Sequence, residues 1–162
     1  MSELICDTTV VQYLHQVHLL EILPALASLV VLPEAVVVEL DQGRSRGIDL
    51  PDLSALGWLT IRTASVRPPL SHAADLGPGE SEVLWLVLER PNSIAVFDDA
   101  AARQQAIECG VRVTGMLGLL ADAKRQGLIL AVSPVLDELG KLGFYLSART
   151  RALILRHAGE AP

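Results

Sequence analysis

The chain has 162 residues, of which 51% are hydrophobic and 4% aromatic, and its formal net charge is −6. This length suits one domain, and the apolar content excludes an intrinsically disordered chain. The pI of about 5.1 argues against a large non-specific nucleic-acid surface, although metal ions can supply positive charge in a small site. No uninterrupted apolar run has the length of a membrane span, and no basic region precedes the first apolar segment, so we expect a cytoplasmic protein without membrane attachment.

The first part of the chain alternates short apolar runs with helical patterns. Residues 4–6 predict a buried strand, and apolar residues at helical spacing over 10–20 predict a helix capped by a threonine. Residues 29–32 predict a second strand, and Pro33 and Glu34 suit the first turn of a helix that runs through Leu40.

The next segment reads as loops around one strand. The polar, glycine-flanked residues 43–47 predict a flexible loop, and residues 53–56 predict a short helix. Alternation over 58–63 predicts a strand at a sheet edge, and a proline-rich loop follows at 67–75.

Residues 76–110 place acids where apolar elements begin or end. A helix that opens after a Gly-Pro-Gly turn carries Glu80 and Glu82 on its first turn. The strand that follows it ends in two adjacent carboxylates, Asp98 and Asp99. The helix around Trp85 is apolar nearly all round, which predicts burial in the fold or in a homodimer interface.

Strands and helices continue to alternate toward the C-terminus. The predicted elements are strands at 94–97 and 111–114 and helices at 115–126, 135–142 and 148–157. This alternation favours a parallel sheet covered by helices on both faces. We expect one domain over residues 1–162, with the C-terminal helices at about 133–158 packed on it.

Several of the acids are predicted to meet at one edge of the sheet. Asp7 ends the first strand, and Asp98 and Asp99 end the strand at 94–97. The carboxyl ends of parallel strands lie at the same edge, where binding sites form. Acids on helices that can reach this edge are Glu39, Glu80 and Glu82.

Converging carboxylates predict a metal site. They repel one another unless they are protonated or bound to a cation, and Mg²⁺ or Mn²⁺ is the natural partner of oxygen ligands. Such ions activate water and stabilise displacement at phosphorus, which predicts phosphodiester hydrolysis. A second interpretation needs no metal, because acids also stabilise helix N-termini and Asp7 can cap a helix.

The order and spacing of the motifs resemble the PIN-domain family, and most of all an uncharacterised prokaryotic PIN-like branch. The matching residues are Asp-Thr-Thr at 7–9, Glu39, Gly-Glu-Ser-Glu at 79–82, Asp-Asp-Ala-Ala-Ala-Arg at 98–103 and Thr-Gly-Met-Leu-Gly-Leu at 114–119. The resemblance implies a three-layer α/β/α sandwich with a central parallel sheet. It also implies an Mg²⁺- or Mn²⁺-dependent ribonuclease that acts on RNA, often as a toxin neutralised by a small antitoxin protein.

The resemblance also implies roles for individual residues. The catalytic acids would be Asp7, Glu39, Glu82 and Asp99, with Glu80 and Asp98 as alternatives in the third and fourth positions. The metal ligands would come from Asp7, Asp98, Asp99 and Glu82. Thr8 would orient Asp7 or a water on the metal. The position of Arg103, one turn into the helix after Asp99, separately predicts that it holds the scissile phosphate or pairs with Asp99.

The sequence departs from the family pattern at two places. Phe97 stands where many PIN nucleases have threonine or serine, and a Glu-x-Glu pair replaces the single aspartate common in toxins. A catalytically degenerate PIN-like module that binds RNA or a partner protein is therefore the alternative function. A phosphatase ranks below both, because Asp7-Thr8-Thr9 lacks the second acid that one common phosphatase motif requires.

Overall fold

A computed structural model describes all 162 residues as a five-stranded parallel sheet with helices packed against it. The strands are β1 (Glu3–Cys6), β2 (Leu29–Pro33), β3 (Leu59–Arg62), β4 (Ser93–Val96) and β5 (Val113–Thr114). The helices are α1 (Thr8–Gln16), α2 (Ile22–Leu26), α3 (Glu34–Ser45), α4 (Pro78–Glu89), α5 (Ala100–Glu108), α6 (Met116–Arg125), α7 (Ser133–Lys141) and α8 (Ala148–His157). This architecture confirms the predicted PIN-like α/β/α class with a central parallel sheet.

The strand order β3-β2-β1-β4-β5 puts β1 at the centre and leaves β3 at an edge, as its alternating sequence predicts. All pairings are parallel, and Cys6 at the end of β1 is in register with Val96 at the end of β4. The residues that follow these two strands therefore emerge side by side. The Asp7 N–H donates to the Val96 carbonyl, which holds the two chain segments together just beyond the sheet.

The core is one cluster of 37 buried hydrophobic residues on both faces of the sheet. Helix α4 contributes to it around most of its circumference, with Val83 and Leu84 fully buried and Leu86 2% exposed. The nearly uniform apolar character of this helix is thus accounted for by burial inside the fold. No helix has the combination of length and apolar character needed to cross a bilayer.

Three local features differ from the sequence predictions. Helix α1 ends at Gln16, short of the predicted limit at residue 20, and α2 was not predicted. Helix α3 continues to Ser45, so the predicted loop at 43–47 is wrong over its first part. Gly43 is a buried residue of this helix, and a Cβ atom at this position would lie 2.7 Å from Cδ1 of Leu50.

The C-terminal helices end and begin as predicted. Gly127 and Gly143 have positive φ angles of 74° and 89° and follow α6 and α7, where a left-handed residue stops a helix. The Ser147 hydroxyl accepts the Thr150 N–H and caps α8. Glu160 accepts hydrogen bonds from the Ser133 N–H at 3.1 Å and from Lys124 at 3.0 Å, and so fixes the end of the chain.

Candidate active site

Asp7 is a buried acid at the carboxyl end of the central strand. It occupies the N-cap position of α1, yet its side chain makes no capping hydrogen bond, and the residue is 3% exposed. Burial raises the pKa of Asp7 to about 7, against the opposing effect of the Thr8 N–H. Nearby carboxylates that raise it further are those of Glu80, Glu39 and Asp98.

Asp98 lies beside Asp7 at the end of β4 and has a free oxygen. Its Oδ1 atom accepts the Met116 N–H at 3.0 Å, whereas its Oδ2 atom is buried without a hydrogen-bond partner. Burial raises the pKa of Asp98, while the Met116 N–H and the Arg103 guanidinium lower it. An unpaired buried carboxylate oxygen costs free energy unless a cation or water satisfies it.

Glu39 is held at the same edge by two fixed donors. Its Oε2 atom accepts the Thr8 hydroxyl and its Oε1 atom accepts the Gly79 N–H at 2.9 Å, near the N-terminus of α4. A Cβ atom on residue 79 would lie 2.7 Å from Oε2 of Glu39, so the close approach requires glycine. The Thr8 hydroxyl therefore orients Glu39, whereas the resemblance implied that it would orient Asp7 or a water on the metal.

Glu80 and Asp99 are the remaining acids near this edge, and each lies at the start of a helix. Glu80 accepts the Gly77 N–H at 2.9 Å, and Asp99 caps α5 by accepting the Ala102 N–H at 2.9 Å. Burial raises the pKa of Glu80, the Gly77 N–H lowers it, and the charges of Asp99 and Glu39 raise it. We call the electrostatically linked carboxylates the acidic site: Asp7, Glu39, Glu80, Asp98 and Asp99.

Glu82 lies apart from the acidic site, although the resemblance implied Glu82 as the third catalytic acid and Glu80 as its alternative. Its Oε2 atom accepts the Ala35 N–H at 2.8 Å and its Oε1 atom accepts the Ala64 N–H at 3.2 Å. Arg67 lies 3.5 Å from Oε1 of Glu82 and also stacks over the Trp85 ring at 5.4 Å. Glu82 thus connects α4 to the start of α3 and to the segment after β3.

Arg103 lies next to Asp98, and it forms no ion pair with Asp99. Its Nη1 atom donates to the Phe97 carbonyl at 3.2 Å, and its charge acts on Asp98. Gly115 makes this arrangement possible, because a Cβ atom there would lie 2.8 Å from Nη1 of Arg103 and 3.0 Å from Oδ1 of Asp98. The glycine after Thr114 therefore serves close packing against the acidic site.

Comparison with known protein families identifies the family of this chain. A family model described as the PIN domain matches residues 3–160. The chain belongs to the PIN-domain family. This fold is of the nuclease type.

The structure of this PIN domain is similar to that of a PilT N-terminus domain protein from the hyperthermophilic archaeon Sulfolobus solfataricus. The TM-score is 0.56 at 24% sequence identity, over 75% of this chain and 92% of the archaeal chain. At this identity the similarity supports the fold alone. A search of curated proteins gave no significant match.

The chemistry of the acidic site of this PIN domain fits a hard divalent cation. The buried Asp7 carboxylate and the unpaired Oδ2 atom of Asp98 are oxygen ligands that a cation could share. No three His, Cys, Asp or Glu side chains are grouped closely enough to hold a metal ion together. Mg²⁺ needs fewer, because it commonly binds one or two carboxylates and keeps several waters.

Some of these features have a signal in the sequence, and others do not. An α-helix turns by about 100° per residue, so Glu80 and Glu82 cannot both face one site. Gly79 and Gly115 were noted only as parts of motifs, and their contacts with Glu39 and Asp98 need the three-dimensional structure. The contact of Arg67 with Glu82 joins two parts of the chain and has no sequence signal.

Proposed function

We propose that this PIN domain is an Mg²⁺- or Mn²⁺-dependent ribonuclease that hydrolyses phosphodiester bonds of single-stranded RNA. One observation carries the proposal: buried Asp7 and the unpaired oxygen of Asp98 adjoin at the carboxyl edge of the sheet, among further acids. PIN domains generally use divalent metal ions and bind RNA, which supports the same function.

In this function Asp7 and Asp98 would hold the cation. The cation would supply positive charge for the phosphodiester and activate water. Glu80, Glu39 and Asp99 would keep the site strongly negative, and the Thr8 hydroxyl and the Gly79 N–H would fix the Glu39 carboxylate.

Arg103 would meet the RNA at this edge. It lies beside Asp98 and donates one hydrogen bond, to the Phe97 carbonyl. Most of its N–H groups are therefore free to bind a phosphate. Phe97 is fully buried and supports the strand end from inside the core. Its apolar side chain therefore contributes no polar group where many relatives place threonine or serine.

The first experiment measures thermal unfolding with and without millimolar Mn²⁺. A ligand that binds only the folded state at a hundredfold excess over its Kd stabilises by about 2.7 kcal/mol, which raises the melting temperature by about 5–10 °C. Asp7→Asn should abolish both this rise and the Mn²⁺-dependent cleavage of single-stranded RNA. Unchanged cleavage by folded Asp7→Asn would overturn the assignment.

The second candidate function is a PIN module that binds RNA or a partner protein without cleaving. The lack of a ready group of three metal-binding side chains favours it. It predicts no shift of the melting temperature in Mn²⁺ and no cleavage. A toxin role with a small antitoxin would follow only from the ribonuclease, and co-expression with the product of the adjacent reading frame would test it.

A further inference from the structure

A cleft of about 730 Å³ opens directly beside the acidic site. It lies between β5, the first turn of α6 and helix α8. Asp98 of the acidic site lines the cleft, together with Arg103 and Gly115, which lie against Asp98. A polymer bound across the acidic site therefore has its next unit within reach of this cleft.

Tyr145 provides an aromatic ring in the cleft that has no partner in the protein. The residue is 87% exposed. Its neighbour Phe144 also lines the cleft, but it is half-buried and packs edge-on against Tyr13 with ring centroids 5.2 Å apart. Phe144 is thus committed to the fold, whereas the faces of the Tyr145 ring are available to a planar ligand.

The polar groups of the cleft suit the edges and the phosphate of a nucleotide. Arg103 contributes a guanidinium that forms none of the ion pairs within the chain and makes one hydrogen bond, to the Phe97 carbonyl. On the α8 side, the Ser147 hydroxyl donates to the Thr150 hydroxyl at 2.8 Å, which leaves the Thr150 proton for a ligand. Seven of the fifteen lining residues are hydrophobic, and the His157 imidazole adds a further polar group on the α8 side.

We propose that this cleft binds one nucleotide of a single-stranded RNA, adjacent to the bond at the acidic site. The base stacks on Tyr145, and the phosphate on the side of the acidic site contacts Arg103. Stacking on an exposed aromatic ring tolerates any base, so the cleft contributes affinity for unpaired RNA and little sequence preference. This proposal rests on the proposed ribonuclease function, and it adds the position of the nucleotide that flanks the cleaved bond.

Binding of a fluorescein-labelled ten-nucleotide single-stranded RNA tests the proposal. Anisotropy is measured in Ca²⁺, with the RNA checked for integrity on a gel, for the wild type, Tyr145→Ala, Tyr145→Phe and the control Leu130→Ala. Leu130 is 95% exposed and lies outside the cleft. Tyr145→Ala should raise the Kd at least about fivefold, whereas Tyr145→Phe should keep it within about twofold because it retains the stacking ring. Leu130→Ala should leave it unchanged.

Photocrosslinking locates the bound base independently of affinity. The same RNA with one 5-iodouridine should crosslink to the peptide that contains Tyr145, and the crosslink should disappear in Tyr145→Ala. Cleavage by the wild type together with an unchanged Kd in Tyr145→Ala would overturn the cleft assignment and leave the ribonuclease. A Tyr145 crosslink without cleavage in any divalent cation would support the cleft and overturn the ribonuclease. A complete lack of RNA binding would overturn both the nucleotide-binding cleft and the ribonuclease, and a protein segment would then be the remaining candidate ligand of the cleft.

Discussion

Glu80 and Glu82 lie on opposite sides of α4, although a single residue separates them. Each residue of an α-helix turns the chain by about 100°, so the two side chains diverge by roughly 200°. Glu80 accepts the Gly77 N–H and faces the charges of the acidic site, whereas Glu82 accepts the Ala35 N–H at the start of α3. The first glutamate is thus part of a charged site, and the second is part of the framework that supports it.

The two glutamine substitutions should therefore separate function from stability. Glu82→Gln keeps one acceptor for two backbone N–H groups, so it should lower the free energy of unfolding by about 1–3 kcal/mol. Glu80→Gln removes a like charge from the acidic site and should leave stability without Mn²⁺ unchanged or higher. Chemical denaturation with and without Mn²⁺ measures both effects. We expect Glu80→Gln to reduce stabilisation by Mn²⁺ and Glu82→Gln to retain it, and the reverse pattern would contradict the assignment.

The fold was largely predictable because its signals are local. Apolar strands alternate with helical patterns, and the positive-φ glycines Gly127 and Gly143 end helices where their positions indicate. The errors fall where tertiary packing overrides local preference. The glycine at residue 43 predicts a loop, but Gly43 is a buried residue of α3 packed close to Leu50.

The site was predictable as a set of acids, and less so as a geometry. Parallel strands in register bring Asp7 and Asp98 to one edge, and the order of the motifs indicates this. The choice between the members of each acidic pair depends on side-chain direction. Asp98 has the buried unpaired oxygen, whereas Asp99 is exposed and caps α5, and no residue pattern distinguishes the two in advance.

Asp7 should make the stability of the metal-free protein decrease with rising pH. Its pKa is raised from 3.8 to about 7 in the folded state, so the folded protein binds a proton more tightly than the unfolded chain. The contribution of the protonated Asp7 carboxyl to the free energy of unfolding is complete below about pH 4 and is lost as the pH rises through about 7. Full ionisation of Asp7 lowers the free energy of unfolding by at most about 4 kcal/mol. Asp7→Asn cannot ionise, so the variant should lose this pH dependence.

Urea unfolding in EDTA between pH 5 and pH 8 measures this effect. Wild type and Asp7→Asn should differ most at pH 8, where the variant is the more stable protein. Saturating Mn²⁺ should raise the free energy of unfolding of the wild type at pH 8 and leave that of the variant unchanged. Parallel pH profiles of the two proteins would show that Asp7 is not the titrating group.

Gly115→Ala should disturb the acidic site by steric contact. The new methyl group would lie 3.0 Å from the Phe97 carbonyl oxygen and from Oδ1 of Asp98, and backbone atoms cannot move away easily. We expect a loss of about 1–3 kcal/mol in the free energy of unfolding, together with weaker stabilisation by Mn²⁺. Gly140→Ala is the matched control, because its Cβ atom would meet nothing within 4 Å and alanine favours the helix. Thermal unfolding of both variants gives the comparison, and equal behaviour would contradict the packing argument.

Arg103 should set the pH range in which Asp98 can bind a cation. Burial raises the pKa of Asp98 and the Arg103 charge lowers it, so Arg103→Ala should raise the Asp98 pKa further. Protons then compete with Mn²⁺ up to a higher pH, so the pH at which half of the Mn²⁺-induced rise in melting temperature appears should increase. Arg103→Lys keeps the charge and should shift this midpoint less.

Arg112→Ala is the control for general charge loss, because Arg112 is exposed and donates to the Ser2 hydroxyl away from the acidic site. A midpoint that moves equally in Arg103→Ala and Arg112→Ala would assign the effect to net charge and not to the neighbourhood of Asp98.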